Sequence, residues 1–134
     1  MIDVENRVYT YISNFIDNNY GIISKSSEYS NTPSSFPHVS IVEEDNYLYE
    51  NGIDSAEDEN YARLTYEIDI YSNKASGRKE EAKQIASVID TAFSKIGFNR
   101  IVKTYISESS VFRLILRYQA ISPKDNDNLT FYRR

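Results

Sequence analysis

The sequence predicts an α+β domain: a four- to five-stranded mixed, mainly antiparallel sheet with two amphipathic helices packed on one face. Three observations predict it. Two stretches repeat apolar residues at helical spacing, and three others alternate apolar with polar residues. All four glycines fall at breaks between these stretches. At 134 residues with 40% hydrophobic content, the chain has material for one core and not for two.

The first helix is expected over residues 3–18, where Val8, Tyr11, Ile12, Phe15 and Ile16 form one stripe. Asp3 can cap it, Glu5 suits the positive end of its dipole, and Gly21 follows the Asn18-Asn19-Tyr20 stop. The pair Ile22-Ile23 marks a short, weakly defined strand inside a polar, serine-rich stretch. A clearer strand spans 38–43, with Val39 and Ile41 on one face and His38, Ser40 and Val42 on the other.

Residues 43–60 are the least globular part of the sequence. They hold Glu43, Glu44, Asp45, Glu50, Asp54, Glu57, Asp58 and Glu59 without one Lys or Arg, so they read as a long, mobile, solvated loop. Residues 62–71 alternate most cleanly, Leu64, Tyr66, Ile68 and Ile70 facing inwards and Arg63, Thr65, Glu67, Asp69 and Tyr71 facing a charged surface. Ser72-Asn73-Lys74 then turns the chain into a second helix over 77–96. Its stripe is Ala82, Ile85, Ala86, Ile89, Phe93 and Ile96, with Ser76 as cap, Glu80 and Glu81 at the start, Lys95 at the end, and Gly97 as the stop. A strand pair over 98–106 and 111–121 follows. Residues 1–122 thus form a single domain, and 123–134 a polar, loose tail whose Leu129, Phe131 and Tyr132 could dock on a neighbour.

Composition closes off several kinds of chemistry. Without cysteine there is no disulfide, thiolate ligand or cysteine nucleophile, and a single histidine, His38, cannot build a multi-histidine metal site. No serine sits in a G-x-S-x-G turn, and no glycine-rich loop could cradle phosphate. His38 reads as a packed, hydrogen-bonded residue. Glu67 and Asp69 project from the same strand face and could form an acid pair or hold a divalent ion. Arg63, Arg113 and Arg117 lie on matching faces, so cross-strand ion pairing is the cheaper reading. The acidic stretch lacks the ligand order of a calcium loop. No catalytic residue, cofactor site or metal site is assigned, and the chain is read as no enzyme. A net charge of −5 disfavours holding nucleic acid. Twelve tyrosines and no tryptophan fit an interface as readily as a codon preference. No apolar run nears the roughly 18 residues needed to span a bilayer, and the acidic Met1-Ile2-Asp3-Val4-Glu5 start is unlike a signal peptide, so a soluble cytoplasmic protein is expected.

Four stretches in order carry a likeness to a known family: Phe36-Pro37-His38-Val39-Ser40-Ile41-Val42-Glu43-Glu44-Asp45-Asn46, Tyr66-Glu67-Ile68-Asp69-Ile70-Tyr71-Ser72-Asn73-Lys74, Ile96-Gly97-Phe98-Asn99-Arg100 and Val111-Phe112-Arg113-Leu114-Ile115-Leu116-Arg117-Tyr118. Together, over about residues 36–120, they resemble the tail terminator (tail completion) proteins of long-tailed bacteriophages and prophages of low-GC Gram-positive bacteria. The resemblance implies a hexameric ring that caps the finished tail tube, ends tube polymerisation and offers the surface for head–tail joining. Its implied partners are further copies of itself, the major tail tube protein and the head–tail connector protein. DNA would only pass through the lumen, and no membrane is involved. The implied location is the head-proximal end of the virion tail, after assembly in the host cytoplasm. The family pattern supplies no catalytic residue or cofactor. It points to the Tyr71-Ser72-Asn73-Lys74 turn, with Tyr71, Asn73 and Lys74 as subunit contacts. The acidic stretch, longer and more charged than the family pattern, would line the pore or touch the tube. Rival readings are a head–tail connector or neck subunit, a cytosolic small-ligand-binding or regulatory domain, and a small nuclease using Glu67, Asp69 and lysines.

Overall fold

Helix α1 (Glu5–Asn19) forms where the stripe predicts it, with Val8, Ile12 and Ile16 fully buried and Tyr11 and Phe15 packed beside them. Asp3 contributes through Oδ1, which accepts the Glu5 N–H at 3.2 Å, although Val4 holds the cap position. The structure is a computed structural model and describes residues 1–30, 33–48, 61–107 and 110–132.

Strand β1 is Ser24–Ser26, just after the expected Ile22-Ile23 pair, and it lies parallel to β2. Ile22 itself is 89% exposed. Strand β2 runs from His38 to Leu48 and pairs antiparallel with β3 (Tyr61–Ser72) along its whole length. This corrects the loop expected to begin at residue 43. Glu43, Glu44 and Asp45 belong to a strand, with a bulge between Glu43 and Asp45. The pairing of Asn46, Tyr47 and Leu48 with Leu64, Arg63 and Ala62 continues the ladder, and Asn46 Nδ2 donates to the Ile2 carbonyl at 2.7 Å. Backbone pairing with a strongly apolar neighbour outweighs the low strand propensity of acidic side chains. Glu50, Asp54, Glu57, Asp58 and Glu59 lie outside the described residues.

Helix α2 (Arg78–Ile96) carries the chain from β3 across to β4 (Asn99–Ser107), and β5 (Phe112–Pro123) returns between them. The sheet order is β1-β2-β3-β5-β4, antiparallel except for β1–β2. The expected fold class is therefore present: two helices on a five-stranded mixed sheet. Gly77, in the left-handed region at φ +84°, caps α2 in place of Ser76. One apolar face of β2, β3 and β5 packs under both helices in a single core. At its centre Phe93 stacks on Tyr118 with centroids 4.3 Å apart, and Phe98 meets Phe93 edge-on at 5.1 Å.

The described part of the tail, residues 123–132, is not loose. Phe131 is buried against Phe98, its N–H donates to the Ile96 carbonyl at 2.8 Å, and Tyr132 bridges to Ile121. Asn126, also buried, holds Ser122 Oγ and the Thr130 N–H. Anchors as sparse as Asn126 and the Phe131-Tyr132 pair leave no periodic signal, and they dock on the chain's own domain. Gly97 makes the approach possible, since a Cβ there would lie 2.1 Å from the Phe131 carbonyl oxygen.

Candidate functional site

The side of the sheet facing away from the helices gathers most of the residues singled out by chemistry. Register sets it. Glu67 lies opposite Arg117 and Tyr71 opposite Arg113, while Asp69 lies between Ser40 and Ile115 with Arg113 on the diagonal. Arg113 Nη2 donates to Asp69 Oδ2 at 2.7 Å. Arg117 donates from Nε and Nη2 to Glu67 Oε1 at 3.1 and 3.0 Å, and Nε lies 3.4 Å from Glu44 Oε2. Burial and the negative charge of Glu67 together raise the pKa of the Tyr29 hydroxyl.

The ion pairs are those the alternating pattern anticipates, but the face is not the solvated surface it suggests. Glu67 is 7% exposed and Asp69 0%, and Thr65, Ser40 and His38 are buried with them. Burial pushes the Asp69 carboxyl upwards; the Arg113 hydrogen bond opposes this, and the Glu67 charge adds to it. Asp69 Oδ1, Arg113 Nε and Ser40 Oγ are buried without partners among the described residues. Each of the two carboxylates is engaged by an arginine of β5, which makes this face a cross-strand ion-pair lattice.

His38 takes the packed role expected of it. Its Nδ1 is 2.7 Å from Ser24 Oγ, its ring lies 6.2 Å from that of Tyr71, and burial lowers its pKa. Tyr71 is only 5% exposed, with its hydroxyl donating to Asp69 Oδ2 at 3.5 Å and Arg113 stacked on its ring. Of the turn that the family likeness points to, Asn73 and Lys74 are exposed, whereas Tyr71 is buried against the sheet's own residues and is not presented as a contact by this fold.

The sheet edges are the features that motif reading missed. β4 closes one edge and, among the described residues, faces no further strand. It exposes Ile101, Tyr105 and Ile106, carries Arg100 and Lys103, and contains no acid. At the other edge β1 covers β2 only from His38 to Ser40, so among the described residues Ile41–Leu48 pairs on one side alone. That stretch holds Glu43, Glu44 and Asp45, no base, and exposes Tyr47 and Leu48. The sequence carried no clear sign that β4 is an edge, since Arg100 and Lys103 are scattered among adjacent apolar residues. Its place in the strand order required the fold. A cleft of about 260 Å³ between α2 and β4 is lined by Lys83, Asp90, Arg100 and Lys103, and is smaller and more polar than sites that enclose small organic ligands. No helix among the described residues is long and apolar enough to cross a membrane.

No family model matches this chain, and no curated protein matches it. Chains of solved structures do. One, of a protein identified only by a sequence label, is 12% identical and superposes with a TM-score of 0.58, covering 87% of this chain and 93% of that one. At that identity the likeness speaks for the shared fold alone.

Proposed function

We propose that this chain is a structural subunit of a long-tailed bacteriophage or prophage, a tail terminator that works as a ring. The ring caps the tail tube, ends its polymerisation and presents the surface on which the head–tail connector docks. Copies of the same chain and the major tail tube protein are its partners, and DNA only passes through. The chain acts by contact and carries out no covalent chemistry.

The observation that carries this reading is the pair of unlike sheet edges, taken with the ordered motifs that resemble the family. A ring needs two different patches on one subunit that meet head to tail. The basic, apolar edge of β4 and the acidic outer stretch of β2 are two such patches, at opposite ends of one sheet. Strand edges offer backbone groups for pairing, and complementary charge sets register. An excess of acid also suits a conduit that must not retain phosphates.

The test uses tube assembly. Purified chain added to polymerising tail tube protein should yield shorter tubes with a ring at one end in negative stain. The Ile106→Lys variant, altered on the exposed edge, should fold normally yet leave tubes long. Tubes unchanged in length by the parent chain would refute the proposal. A host lacking this chain separates the nearest rival, since overlong or uncapped tails mark a terminator and complete free tails a connector.

A further inference from the structure

We infer that Asp3, Glu5 and Glu43 form a binding site for one hard divalent cation of the calcium type. Folding brings these residues together from either end of a stretch of 40 residues: Asp3 and Glu5 from the entry to α1, Glu43 from the β2 bulge. One carboxylate oxygen from each lies within 4.8 Å of the other two. That is the span across a single Ca²⁺ whose oxygen ligands sit at about 2.4 Å. Oxygen-only donors with three formal charges select Ca²⁺, Mg²⁺ or Mn²⁺ over thiophilic or imidazole-seeking metals.

A second observation points to the same place. Tyr66 is fully buried, and its hydroxyl has no hydrogen-bond partner among the described residues. It lies directly opposite Glu43 in the β2–β3 ladder, and Glu43, Glu5 and Asp3 are the three charges that act on it. The Oε1 atom of Glu43 is likewise buried and unpartnered. A lone donor and a lone acceptor thus face a cluster of repelling anions. One cation with its water shell resolves the three together: it neutralises the repulsion, satisfies Glu43, and orders water or carboxylate oxygen for the Tyr66 hydroxyl.

Full-length chain, stripped with chelator, is titrated with Ca²⁺ by calorimetry and with Tb³⁺ by luminescence excited through tyrosine. We expect a saturable Tb³⁺ signal for one ion per chain, displaced by Ca²⁺, and a melting temperature raised by Ca²⁺ and restored by chelator. Glu43→Gln and Glu5→Gln should each weaken binding roughly tenfold or more, because both remove a ligand charge. Tyr66→Phe should keep binding and dim the emission. A melting temperature indifferent to millimolar Ca²⁺, or Tb³⁺ emission unchanged in both Gln variants with native circular dichroism, would overturn the site. Tube capping is not read in this experiment, so its outcome is separate from that of the ring proposal.

Discussion

The two faces of β3 are both buried, and they are stabilised in opposite ways. Towards the helices, Leu64, Tyr66, Ile68 and Ile70 pack into an apolar core with α1 and α2. Towards the other side, Thr65, Glu67, Asp69 and Tyr71 are equally sheltered but are held by arginines and a tyrosine hydroxyl. Apolar burial contributes roughly 25 cal/mol per Å² whatever the precise geometry. Buried ion pairs start from a desolvation cost and recover it only where geometry is good. The apolar face therefore supplies stability, while the ionic face fixes which strands lie side by side and in what register.

Breaking the apolar face should have the largest effect. Phe93→Ala removes the ring that stacks on Tyr118 and touches Phe98 and Tyr66, leaving a cavity at the centre of the core. A loss of about 3–5 kcal/mol in denaturant unfolding is expected. A loss under about 1 kcal/mol would mean that the aromatic cluster repacks freely, and the contrast between faces would weaken.

On the ionic face the expected behaviour is non-additive. Arg113→Met leaves Asp69 buried and uncompensated, at a cost of about 3 kcal/mol. Adding Asp69→Asn should recover most of that loss, since the uncompensated charge, and no missing packing, is the source of the cost. Strictly additive losses in the double variant would show that Arg113 acts mainly by covering the sheet.

This contrast also explains what the sequence could and could not reveal. The helix stripes and the alternation of β3 and β5 are legible because apolar burial leaves a period of 3.6 or 2. The partners of Glu67 and Asp69 were legible as well, because like-facing acids need bases on the adjoining strands. Their burial was not, since a charged residue reads as solvated until its neighbours are placed. The same bias ended β2 at Glu43 and turned Glu44 and Asp45 into loop. β1 is Ser-Lys-Ser and owes its existence to pairing with His38–Ser40, with no pattern of its own. The Asp3, Glu5 and Glu43 cluster and the seat of Phe131 against Gly97 join residues far apart in sequence, which no local period can encode.

Glu43 gives the smallest effect and the sharpest test, because it is an acid at the margin of the apolar side, opposite Tyr66. Its carboxyl in the fold is raised to about 7, against 4.5 for an unperturbed glutamate. A raised carboxyl binds its proton more tightly in the folded chain than in the unfolded one. The resulting stabilisation is complete below the unfolded value and is lost as pH climbs through the folded one. Between pH 5 and pH 8 in chelator, unfolding free energy should thus fall by about 1–2 kcal/mol, after discounting for the solvent that still reaches this half-buried group. Asp69, also raised, pulls in the same direction, so the parent profile alone does not assign the fall. Glu43→Gln does: it should remove the part of the slope centred near neutral pH and leave the acid end unchanged. If the variant keeps the full slope, the charge repelled there belongs to the ionic face after all, and the division between the two sides of β3 would have to be redrawn.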